Sequence, residues 1–144
     1  MPTTGDPIIA LPEWELQQDI FTILNADSTI KTTLSASVYN EVADTPSFPY
    51  LVVGQSTDNP QYNKSSAMAE VVETIHIYTK YRGDKVTNQL ATAVATALTG
   101  ASYSLTGFTV RKCSFDNYIV VPVESYDQDR TIRHGVLYMR YLIQ

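Results

Sequence analysis

EVVETIHIYTKYR, residues 70–82, is the stretch on which the reading of the fold turns. Val71, Ile75, Ile77 and Tyr81 fall on one side of a period-two pattern, and Thr74, His76, Tyr78 and Lys80 fall on the other. That alternation predicts a strand with one face turned to a core. Gly83-Asp84 closes it and offers Asp84 as a helix cap, after which Val86, Leu90, Ala93, Val94, Ala97 and Leu98 make one apolar stripe. Gly100 supplies the stop.

Downstream, residues 108–124 are rich in aromatic and β-branched types but interrupted by Asp116-Asn117 and Pro122, so they read as one bent strand or two short ones. Asp127-Gln128-Asp129 predicts a turn. The final strand, residues 130–143, places Leu137, Met139, Tyr141 and Ile143 opposite His134, Tyr138 and Arg140. Upstream, Pro12 suits the first helical position, Glu13 and Glu15 suit the positive end of the helix dipole, and Leu16, Ile20, Ile23 and Leu24 recur at helical spacing. These predict a helix over residues 12–25. Asp27 caps a second short turn with Ile30 and Leu34 inward.

Val38-Tyr39 starts a short strand, TPSFP (residues 45–49) breaks regular structure by removing two backbone donors, and residues 50–54 read as a buried strand. Residues 55–67 are polar, contain Asn59-Pro60, and read as a long loop. The order is αβββαββ. It predicts an α+β fold, with a mixed, mainly antiparallel sheet of four to five strands and two main helices on one face. Residues 12–144 form a single domain in this reading, and residues 1–11, with Pro2, Gly5 and Pro7, a flexible arm.

A chain of 144 residues can bury most of its surface in one core, and 44 % hydrophobic with 17 % charged residues is the composition of a folded globule. The net charge of −5, with Lys and Arg scattered, removes the general phosphate attraction behind nucleic-acid binding. Partners are expected to be proteins. The single cysteine, Cys113, forms no internal disulfide and reads as a small buried hydrophobe. No signal peptide or membrane-spanning run is expected, so synthesis is expected to be cytoplasmic.

Chemistry is sparse. Zinc needs about four clustered ligands, and the chain offers one cysteine and two histidines, His76 and His134, which read as structural. No glycine-rich phosphate loop exists. Asp127 and Asp129 open like a calcium loop, but Ile132 stands where glycine is needed and Tyr138 where a bidentate glutamate is needed. Arg82-Gly83-Asp84 and Asn63-Lys64-Ser65 match short motifs by chance. No catalytic group, metal or cofactor is expected. Ten tyrosines suit a protein interface.

Taken together, FPYLVVG (48–54), ETIHIYT (73–79), the alanine-rich helix 90–98 and the closing hairpin YDQDRTIRHGVLYMR (126–140) resemble the tail-completion, or tail terminator, proteins of long-tailed bacteriophages. The resemblance runs from about Leu16 to the end. It implies a structural virion protein, assembled in the host cytoplasm and resident at the tail neck. Such a protein forms a ring, of six copies, that caps the tail tube, ends its polymerisation and offers a face to the head connector or head-completion protein. DNA would pass through the lumen without specific binding, and no membrane is involved. Two segments are expected to reach neighbours: Asn59, Pro60, Gln61, Tyr62, Asn63 and Lys64, and the turn Asp127, Gln128 and Asp129. Another neck ring, a head-closure adaptor, shares this logic. A small ligand-binding or hydrolytic domain would instead need a convergent polar pocket around His76 or His134.

Overall fold

A computed structural model of the chain describes residues 12–40, 46–62, 67–81, 83–121 and 132–144. The arm at residues 1–11 and the turn Asp127-Gln128-Asp129 lie outside them. Helix α1 (Glu13–Ala26) is followed by a π-helical turn (Thr29–Thr33), then β1 (Ser37–Tyr39), β2 (Tyr50–Tyr62), β3 (Ala67–Lys80), α2 (Lys85–Thr99), β4 (Val110–Val121) and β5 (Ile132–Ile143). The strands form one sheet in the order β1-β2-β3-β5-β4. β1 runs parallel to β2, and all other pairs are antiparallel. The class is α+β.

α1 packs over β1 and β2, α2 packs over β3, β5 and β4, and the helices touch each other, so both cover the same face. Leu16, Ile20 and Leu24 of α1, with Leu90, Val94 and Leu98 of α2, meet Val71, Ile75 and Ile77 of β3 and Leu137, Met139, Tyr141 and Ile143 of β5 in one core. Each such side chain contributes roughly 1.5–3 kcal/mol by leaving water. The period-two stripe of β5 is buried as its sequence predicts. Tyr141 keeps its hydroxyl satisfied inside this core: Tyr103 donates to the Leu98 carbonyl at 2.7 Å, and the Tyr141 hydroxyl sits 2.9 Å from that of Tyr103. Burial pushes both phenols upward in pKa. Cys113 is partly buried beside Tyr103, and burial raises its thiol too.

Three expectations change. Residues 55–62 are not loop: β2 continues through them, pairing Ser56 to Tyr62 with Glu73 to Ala67 across a register shift after Val53. Composition signals a loop there, but backbone hydrogen bonds to β3 decide, and these are blind to side-chain polarity. Pro60 is tolerated because, among the described residues, β1 pairs only with Tyr50 to Val52 and the rest of β2 lies at an edge. Tyr81 does not join the core; it stands just past β3 and is exposed. Asp84 precedes α2 without a side-chain cap bond, its carboxylate lying 3.3 Å from Arg133 Nε instead. Asp27 does cap: its Oδ1 accepts from the Ile30 amide at 3.0 Å, and Ile30 is buried.

Candidate interaction site

No helix among the described residues lies on the second face of the sheet. Alternation sends the even-numbered residues of β3 there, and register lines up cross-strand rows: Tyr50, Tyr78 and His134, then Val52, His76, Val136 and Ile119. The rings stack. Tyr50 and Tyr78 centroids are 4.9 Å apart, Tyr78 and His134 4.3 Å, and His76 and His134 5.1 Å. Tyr39 and Phe48 close the row with edge-on contacts to Tyr50, and Lys80 lies over the Phe48 ring.

Within this ladder His76 Nδ1 and His134 Nε2 approach to 2.8 Å. One nitrogen donates and the other accepts, so at least one imidazole must keep a lone pair. Burial lowers the pKa of His76, and burial together with the neighbouring His76 brings His134 down to about 4. Both rings are therefore neutral near pH 7. Burial likewise raises Tyr78, and raises Tyr50 with help from Tyr78 and Tyr39. Gly54 is part of the same construction: a Cβ there would lie 2.8 Å from His76 Cδ2 and 3.1 Å from the Thr74 carbonyl. The outcome is an aromatic row whose imidazoles are neutral near pH 7, with Tyr50 buried and Tyr78, His76 and His134 half-buried. Sequence reading placed the two histidines 58 positions apart; only their adjacent strands bring them together, and no local signal could have shown it.

On the helix-covered face Glu73 is 0 % exposed. Ser56 donates its hydroxyl to Glu73 Oε2, and Gln17 of α1 donates to Ser56 at 2.9 Å and to the Gly54 carbonyl at 3.2 Å. Among the described residues Oε1 has no hydrogen-bond partner. Burial foremost, with the charge of Glu13, outweighs the Ser56 hydrogen bond and pushes the carboxyl up to about 8. Glu73 is thus a buried neutral acid at pH 7, fastening α1 to the shifted part of β2.

The described residues hold no cluster of three or more potential metal ligands and no helix long and apolar enough to cross a membrane. Among the expected contact residues, Asn59, Pro60, Gln61 and Tyr62 lie on the outer half of β2, opposite Glu70, Ala69, Met68 and Ala67. Asn63, Lys64, Asp127, Gln128 and Asp129 lie outside the described residues. Among the described residues, exposed large apolar side chains also include Trp14 on α1, at 68 %, and Phe115 and Ile119 on β4. A groove of about 880 Å³ runs between the π-helical turn and the outer side of α2. Sequence reading assigned roles to neither Trp14 nor this groove.

The family model described as tail completion protein gp17 matches residues 18–144. Two solved structures share the fold. One is a chain from the virion of a native gene transfer agent particle, 23 % identical, with a TM-score of 0.80 over 92 % of this chain and 96 % of that one. The other is the gp17 protein of bacteriophage SPP1, 21 % identical, with a TM-score of 0.57 over 94 % and 97 %. No curated protein matches the chain.

Proposed function

The chain belongs to the tail completion protein gp17 family, structural proteins of the phage virion tail, and from that premise we propose that it forms a ring that caps the tail tube. In this reading the ring, of six copies, stops tube polymerisation and gives the head connector its docking surface. Residues 12–144 act as one domain, with residues 1–11 as an arm. A head-to-tail contact closes when its rotation divides the circle, and the resulting ring has two unlike faces. That polarity suits a part that meets the tube on one side and the head on the other.

The observation that carries the reading is the asymmetry of the sheet. One face is sealed by two helices, while the other presents the neutral Tyr50–Tyr78–His134–His76 ladder. Such a surface suits a protein partner, since aromatic groups dominate contact energies. The outer half of β2, Asn59 to Tyr62, with Asn63 and Lys64, and the turn Asp127 to Asp129 complete the proposed contacts. With a net charge of −5 the lumen lets DNA slide without adhering.

Electron microscopy of particles made without the protein tests this reading. Overlong tails are expected. Normal tails beside emptied heads would instead identify a head-closure ring.

A further inference from the structure

Trp14 is the only tryptophan in the chain and stands 68 % exposed on α1. Leu16, two residues on, is buried, and two residues turn an α-helix by about 200°, so Trp14 points away from the core. Trp14 belongs neither to the core nor to the side chains packed against it, and tryptophan is among the residue types enriched as energetic anchors of interfaces. The same molecule carries a receptor of suitable kind. The groove of about 880 Å³ is floored by Leu34, Ala93 and Ala97 and rimmed by Lys85, Gln89 and Thr96.

No α1 residue lines this groove; its nearest contribution along the chain is Asp27, about 20 Å from Trp14 along the helix axis. A chain therefore cannot seat its own Trp14. One opposite-charge pair is available across such a contact: Glu15 adjoins Trp14, and Lys85 lines the groove, whose described lining also holds one acid, Asp27.

We propose that Trp14 of one copy seats in the groove between the π-helical turn and α2 of a second copy. Knob and groove lie at separate places on one surface, so the contact is heterologous, the type that propagates head-to-tail and closes into a ring. This deepens the ring reading and rests on it.

Both contact partners can be altered without touching the core, since Trp14 and Thr96 are exposed. The test follows sedimentation velocity and tryptophan emission of the full chain at rising concentration, alone and with tail tubes. Wild type should assemble with a blue shift as Trp14 leaves water. Trp14→Ala and Thr96→Arg should each weaken assembly on the order of thirtyfold, as loss of an anchor does. Mixed, the two variants should form a dimer, because one intact knob meets one intact groove. Lys85→Glu should weaken assembly a few-fold, and Glu15→Lys added to it should restore it. Assembly with unshifted emission, assembly indifferent to Thr96→Arg, or a mixture that stays monomeric would overturn the contact and leave the ring standing. A wild-type chain that stays monomeric even on tail tubes would overturn the ring and the contact with it.

Discussion

Replacing Glu73 by glutamine should remove a loss of stability that the wild-type chain suffers as pH rises from about 4.5 to 8. Glu73 ionises near 4.5 when exposed in the unfolded chain but near 8 when folded, because burial withholds water and the charge of Glu13 adds to the cost. Between those values the unfolded chain releases a proton that the native state keeps. Each pH unit in that window then costs about 1.4 kcal/mol of stability, to a total on the order of 5 kcal/mol at pH 8 and above. Against a typical total of about 5–15 kcal/mol this is a large loss. Below pH 4.5 both states hold the proton and the cost vanishes.

Glutamine fits the site without titrating, and its carbonyl still accepts from Ser56. Urea titrations followed by far-UV circular dichroism from pH 5 to 9 give the comparison; Trp14 fluorescence is unsuitable, since that side chain is already exposed. The two proteins should be similar at pH 5, and Glu73→Gln more stable by about 3–5 kcal/mol at pH 8. A wild-type midpoint that stays level from pH 5 to 8, with no gain for the variant, would mean that Glu73 is ionised in the native state and would refute the argument.

Gly54→Ala should lower stability by about 1–3 kcal/mol, seen as a lower melting temperature, because its Cβ meets the His76 ring and the Thr74 carbonyl. His134 ionises near 4 when folded against 6.5 ordinarily, so stability is lost as pH falls from 6.5 towards 4. His134→Phe, compared with its parent in the Glu73→Gln background, should remove that part of the acid limb; an unchanged limb would place the loss elsewhere. Tyr141→Phe should cost about 1 kcal/mol in urea unfolding, the worth of its hydroxyl contact to Tyr103, while leaving the packed ring in place.

The alternation in residues 70–80 and 137–143, and the stripe from Leu90 to Leu98, determined the α+β class and most of the core from the sequence itself. Those patterns are local: a period of two or 3.6 tells which side chains must leave water before any partner is known. The sequence also suggested structural histidines and a buried Cys113, which the fold leaves only partly buried.

Register decided the rest. The polar outer half of β2 is strand because β3 supplies its hydrogen bonds. His76 meets His134 because β3 and β5 pair with His76 opposite Val136, one row from His134. Glu73 sits on the core face by the same alternation that buries Ile75, but its raised pKa depends on α1 covering it without offering a cation. Trp14 and its groove belong to separate elements, and their complementarity exists only once the chain is folded. Each of these features is a relation between residues distant in sequence, and cross-strand pairing and helix packing bring such residues together where periodicity cannot.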